Sequence, residues 1–204
     1  MTGMFIVVEG PNGVGKTTVA SLLGTRLRER SAARVHLTTE PTHTPLGRLL
    51  RSSESGLTGR ALALAMAADR YLHVECEIIP RLDAGYHVVS DRYVQSSLVL
   101  QRIDGLRLTE IWRYNQQVPP PAISFYLEEE PGVIRERLAA RGTLSRLERT
   151  GSPERELALY DEAFRFLQQH DWEQEKIDCR GKSPEQIVAA LLKRLDDLGK
   201  RADN

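Results

Sequence analysis

Gly10-Pro-Asn-Gly-Val-Gly15-Lys16-Thr17 fits the spacing G-x-x-x-x-G-K-[ST], which is built to cradle phosphate. Glycine lets backbone N–H groups turn inward around phosphate oxygens, and a helix starting there points its partial positive charge at the anion. In such a loop Gly10, Asn12, Gly13, Val14, Gly15, Lys16, Thr17 and Thr18 are the expected ATP-binding residues. Lys16 bridges the β- and γ-phosphates and Thr17 ligates Mg²⁺. Asp91-Arg92-Tyr93 offers a second carboxylate for the metal, with an arginine beside it able to hold both an acceptor and a migrating phosphoryl group. A phosphate loop alone leaves GTPases, ATPases and small-molecule kinases open.

Elements of the right kind surround these residues. Phe5 to Val8 is a continuous apolar, β-branched run ending in glycine, as a buried parallel strand reads, and a helix from Lys16 to about Glu29 follows the loop. Further strands are expected at Val35 to Thr38, His87 to Ser90, Ala122 to Leu127 and Lys176 to Asp178. Helices are expected at Pro45 to Arg51, Gly59 to Arg81, Leu108 to Asn115, Pro131 to Arg141, Glu154 to Gln169 and Pro184 to Leu198. The alternation predicts an α/β fold, a parallel sheet wrapped by helices, with ligands at the carboxyl ends of the strands, where the glycine loop and Asp91 both fall.

The 204 residues suit one domain with a lid, and 28 Lys and Arg against 28 Asp and Glu leave no net field to favour nucleic acid or a membrane surface. Cys76 and Cys179 are far apart and lack metal-ligand spacing, and the apolar run Met4 to Val8 is too short for a signal or a membrane span. The expectation is a soluble, cytoplasmic protein without disulfides.

A more specific pattern comes from several stretches read in order. Phe5-Ile-Val-Val-Glu-Gly, the phosphate loop, Thr39-Glu-Pro-Thr-His-Thr-Pro-Leu-Gly47 and Ala67-Ala-Asp-Arg70 are followed by Asp91-Arg-Tyr-Val-Gln-Ser-Ser97, Gln101 and Arg141-Gly-Thr-Leu-Ser-Arg146-Leu-Glu148. Together they resemble the thymidylate kinase family across nearly the whole chain. The resemblance implies a P-loop NTPase-like three-layer sandwich with a five-stranded parallel sheet, a lid over about residues 141–153, Mg·ATP as donor, a nucleoside monophosphate as acceptor and a homodimer. It places Glu40, Arg51, Met66, Arg70, Arg92, Ser97, Leu100 and Gln101 around the acceptor. Independently, Arg51 and Arg92 have the forked donors that grip phosphate, and Arg70 and Gln101 can hydrogen-bond a pyrimidine edge. Gly13 stands where one branch of the family has an arginine, so the lid must supply the catalytic cation as in the bacterial-type arrangement: Arg146, supported by Arg141, with Arg149 also in the segment. Asp178 to Pro184 resembles the loop beside adenine and reads equally as a turn in which Ser183 caps a helix starting at Pro184.

Four positions depart from the family: Asn12 for an aspartate, Thr39 for an arginine, Met66 for a stacking phenylalanine, and Leu100 for an aromatic that crowds the sugar 2′ position. They leave open a kinase specialised for a modified pyrimidine or ribonucleoside monophosphate, beside the ordinary dTMP reading. A nucleoside kinase would leave Arg51 and Arg92 unpaired. A catalytically weak nucleotide-binding module would not need Lys16, Thr17, Asp91, Arg92 and an arginine lid together.

Overall fold

The computed structural model of the protein describes residues 3–31, 33–52, 56–141 and 146–202. Five parallel strands form one sheet in the order β2-β3-β1-β4-β5: β1 (Phe5–Glu9), β2 (Val35–Thr39), β3 (His87–Asp91), β4 (Ile123–Glu128) and β5 (Gln174–Asp178). Each expected strand is present to within a residue or two. Side chains alternate across the pleat, so β1 sends Phe5 and Val7 to one face and Ile6 and Val8 to the other. Both faces are covered, which is why the inner strands read as unbroken apolar runs.

On one face lie α1 (Lys16–Ser31) and α10 (Pro184–Ala202). Leu23 of α1 and Ile187, Val188, Leu191 and Leu195 of α10 close that core with Val8, Val89 and Phe125. The other face carries α3 (Gly59–His73), α5 (Val94–Ile103), α6 (Leu108–Asn115) and α9 (Pro153–Gln168), whose Val94, Leu98, Ile111, Ala163 and Leu167 pack with Val7, Val88 and Tyr126. Each such Val, Leu, Ile or Phe side chain removed from water contributes roughly 1.5–3 kcal/mol. The remaining helices are α2 (Pro45–Ser52), α4 (Ile79–Asp83), α7 (Pro131–Ala139) and α8 (Arg146–Thr150). The lid expected over 141–153 is described as Arg141, α8 and the start of α9; residues 142–145 of it lie outside the described residues.

Three elements differ from expectation, the first being α8, a short helix in the segment read only as a lid. The helix read as Gly59 to Arg81 loosens into a π turn over Val74–Ile78, where the N–H of Ile79 reaches back five residues to Val74 O, and continues as α4. Pro80 has no N–H to continue the ordinary ladder. Helix α5 was not expected at all, and its cause lies in the site.

Candidate active site

The loop between β1 and α1 is fixed by close backbone approach. Gly10 has φ 140°, and a Cβ there would stand 2.6 Å from Leu127 O, so only glycine fits. Lys16, buried, folds its Nζ back to donate to Gly10 O and Pro11 O, both at 2.8 Å. Burial, with Arg92 nearby, draws its pKa down to about 7 against the opposing pull of Asp91, Glu9 and Glu156. Thr17 Oγ1 donates to Asp91 Oδ2 at 2.5 Å, bringing together the two expected metal ligands from α1 and the end of β3. The other carboxylate oxygen, Asp91 Oδ1, is buried and has no partner among the described residues. An oxygen pair with one unsatisfied carboxylate oxygen suits a hard divalent cation such as Mg²⁺.

Beyond Asp91 the chain turns sharply: Arg92 has φ 80°, a left-handed conformation that is strained for a side chain of this size. It is held by Arg92 N donating to Val8 O at 3.1 Å and Ser90 Oγ donating to Arg92 O at 2.7 Å. Glu9, fully buried, accepts from Tyr93 N, Ser96 N, Ser96 Oγ and Tyr160 OH at 2.6, 3.1, 2.8 and 3.1 Å. Burial pushes its carboxyl above the usual range, opposed by Arg92, the Tyr93 N–H, the Ser96 hydroxyl and Lys16. Glu9 thereby caps α5 from another element, since Tyr93 at the N-cap makes no side-chain cap bond. The Arg92 guanidinium donates from Nη1 to Ser96 Oγ at 3.0 Å and from Nη2 to Asn12 Oδ1 at 2.5 Å.

The expected acceptor residues fall into two groups. Glu40, Arg70 and Ser97 form one buried network: Arg70 pairs with Glu40 Oε2 at 2.7–2.8 Å and donates to Ser97 Oγ and Tyr93 O at 3.0 Å and to Asn115 Oδ1. Arg70 is 1 % exposed, so it braces the site's wall, and a base edge could use it only by joining or displacing these bonds. His73 Nδ1 contacts Glu40 Oε1 at 3.0 Å from the same helix as Arg70. One turn beyond Ser97, Gln101 keeps a buried Oε1 without a partner among the described residues. In the second group, Arg51 is exposed and donates to Pro41 O, while Met66 is half-buried on α3. Leu100 packs partly buried against the core of its helical layer. The loop before α2 is pinned by Asp69, which accepts from Thr42 N at 2.7 Å and Thr42 Oγ1 at 2.6 Å. At Gly47 a Cβ would lie 2.1 Å from Thr42 O.

On the donor side a cleft of about 400 Å³ runs along the phosphate loop past Thr18, Arg137 and Arg141 to Cys179, Lys182 and Pro184. The Asp178 to Pro184 loop thus borders the cleft, and Ser183 also caps α10: it donates from N to Gln186 Oε1 at 2.9 Å and accepts Gln186 N at 3.3 Å. Burial raises the Cys179 thiol to about 11, so it lines the cleft uncharged. Both cysteines are free. Of the lid arginines, Arg141 lines this cleft, Arg149 is exposed on α8, and Arg146 makes a two-pronged ion pair with Asp104 at the end of α5.

Sequence reasoning passed over Glu9, Asp69, Asp104, Arg137 and Glu156. Arg137 had a signal, four residues before Arg141 on a helix leading to the lid, and it donates to Val14 O at 3.1 Å. Glu9 and Asp69 lie within the family-like stretches but their roles were not read, and Asp104 and Glu156 had no signal, because each acts on a distant segment.

A parallel sheet with a phosphate loop on its first strand and an arginine-bearing second site beside it defines a P-loop NTPase-like nucleotide fold. Residues 8–170 match the thymidylate kinase family. The chain is 37 % identical over 149 residues to a probable thymidylate kinase of Pyrobaculum aerophilum, covering 71 % of this chain and 74 % of that protein. It is 38 % identical over 157 residues to a probable thymidylate kinase of Pyrococcus abyssi, covering 73 % and 76 %. To a thymidylate kinase of Xanthomonas oryzae it is 40 % identical over 144 residues, covering 69 % and 62 %. The chain belongs to the thymidylate kinase family and is a nucleoside monophosphate kinase. None of its described helices is long and apolar enough to cross a membrane.

Proposed function

We propose that the chain transfers the γ-phosphoryl group of ATP to a pyrimidine nucleoside monophosphate, with dTMP preferred and dTDP the product. The observation that carries this reading is Arg92, held at φ 80° between Asn12 and Ser96 and next to the Thr17–Asp91 pair. A strained arginine fixed where two phosphates must meet suits transfer between them. Lys16 leaves the loop carbonyls to bind the β- and γ-phosphates. A phosphate oxygen of the acceptor attacks the γ-phosphorus, the bond to the β,γ-bridging oxygen breaks, and ADP departs. Thr17 and Asp91 would hold Mg²⁺, which when bound neutralises charge on the β- and γ-phosphate oxygens. Arg141 approaches the phosphates from the cleft, and Arg146 joins it on exchanging Asp104 for the donor.

Glu40, Arg70, Ser97 and Gln101 form the acceptor's wall, the open Gln101 oxygen suiting an N–H of the base, with Arg51 reaching its phosphate. The partner is a second copy of the chain: Leu64, Leu72, Cys76 and Ile79 form an exposed apolar stripe along α3, the π turn and α4. Light scattering checks this, with Leu72→Glu expected to give monomers. Cytoplasmic action without nucleic acid or membrane fits the balanced charge.

The test is ADP release from Mg·ATP with dTMP, dUMP, UMP, CMP, dCMP, AMP, GMP and thymidine, using Lys16→Ala as the blank. The largest kcat/KM is expected for dTMP. A ribonucleotide turned over faster would replace the acceptor, and none turned over would overturn the reading.

A further inference from the structure

Glu156 stands in the first turns of α9, 3 % exposed, and among the described residues its carboxylate does not meet a cation in direct contact. It accepts instead from the phosphate loop: Asn12 N donates to Oε2 at 2.8 Å and Asn12 Nδ2 to Oε1 at 3.3 Å. The opposite end of the same amide, Asn12 Oδ1, accepts Arg92 Nη2 at 2.5 Å. A carboxylate only accepts and a guanidinium only donates, so the amide has one satisfactory orientation. Glu156 therefore fixes which end of Asn12 faces Arg92. With Nη2 on Asn12 and Nη1 on Ser96, one N–H of each nitrogen is used and a second is left for a phosphate.

We propose that Glu156 is a positioning residue for phosphoryl transfer, which sets the rotation of the Arg92 guanidinium through Asn12. Asn12 and Glu156 act as one donor–acceptor pair carrying a single negative charge. The inference rests on the reading that Arg92 grips the acceptor phosphate. Its chemical content is an exchange rule. Glu156→Gln alone sets two donors face to face, either between the introduced amide and Asn12 or, if the Asn12 amide flips, between Asn12 and Arg92. Asn12→Asp alone brings two carboxylates together, and like charges at that range do not both stay ionised in place. Asn12→Asp with Glu156→Gln restores every bond with the same total charge: the new amide oxygen accepts the backbone N–H of position 12, its NH₂ donates to the aspartate, and the aspartate accepts from Arg92.

The experiment is this double-mutant cycle, read as kcat/KM for dTMP, KM for ATP, calorimetric affinity for dTMP without ATP, and melting temperature. Each single change is expected to lower kcat/KM for dTMP at least about tenfold, with a smaller fold-change in KM for ATP, and the pair to recover kcat/KM to within about threefold of wild type. A Glu156→Gln enzyme within about twofold of wild type, or a double variant no better than the product of the two losses, overturns the inference. So does a double variant that regains melting temperature without regaining kcat/KM, which marks a purely structural role. Wild-type binding of dTMP with the same rescue in affinity but no turnover supports the inference and removes the transfer reading; a wild type that neither binds nor converts dTMP removes both.

Discussion

Arg146 and Asp104 face each other across α8 and the end of α5 with N···O separations of 2.6 and 2.8 Å, the carboxylate being 7 % exposed. Asp104 Oδ2 also accepts Gly59 N at 3.2 Å, so one carboxylate ties the lid helix and the start of α3 to α5. Asp104→Asn keeps an acceptor for Gly59 but removes the charge from a largely buried pair. The expected loss is about 1–3 kcal/mol, smaller than for a fully buried pair because Arg146 retains some solvent. Melting should fall by roughly 2–4 °C per kcal/mol in a chain of this size. An unchanged melting temperature would mean the pair is no more than a surface contact.

Where the signal was local, the sequence was readable. The phosphate loop is contiguous, the sheet strands are apolar on both faces, and Ser183 with Pro184 announces α10 within two residues. Helix α5 escaped because its N-terminal donors are satisfied by Glu9, 84 and 87 residues away in sequence from the N–H groups it accepts. Arg92, Ser97 and Gln101 were recognisable as types, yet the partners that aim or bury them come from other elements. Asn12 read as an isolated departure until Glu156, 144 residues away, gave its amide a direction.

The cap supplied by Glu9 makes a sharp prediction. Glu9→Ala leaves two backbone donors and one of the Ser96 and Tyr160 hydroxyls, which stand 3.2 Å apart and can satisfy only one of the pair, without an acceptor at a buried position. At about 1–3 kcal/mol for each buried group left unsatisfied, the variant should lose most of a typical domain's stability. Glu9→Gln keeps one acceptor oxygen for the helix N-terminus and should lose less. Urea titration compares them, and equal midpoints for the two variants would refute the capping role.

Metal removal tests the Thr17–Asp91 pair. Chelation of Mg²⁺ with EDTA should stop phosphoryl transfer. Asp91→Asn keeps an acceptor for Thr17 Oγ1 but lacks the full charge on the oxygen now unpartnered. The Mg²⁺ concentration for half-maximal rate should rise at least about tenfold and kcat fall about 10²–10³-fold, the scale for losing one preorganised electrostatic group. An unchanged Mg²⁺ dependence would move the ion elsewhere.

His87, at the opening of β3, gives the pH prediction. Its Nδ1 accepts from Met4 N at 3.1 Å, which requires that nitrogen to be unprotonated, and burial lowers its pKa below the ordinary 6.5. Arg30 and Asp196 are the charged side chains that line the same crevice. Between the folded pKa and 6.5 the unfolded chain binds more protons than the folded one, so stability rises with pH across that window. The contribution is present in full above 6.5 and is lost as pH falls through the folded value. His87→Asn supplies an oxygen that accepts from Met4 N and does not titrate. The drop in melting temperature from about pH 7.5 to about 5.5 should therefore be smaller in the variant than in wild type, and equal drops would show that protonating His87 does not oppose folding.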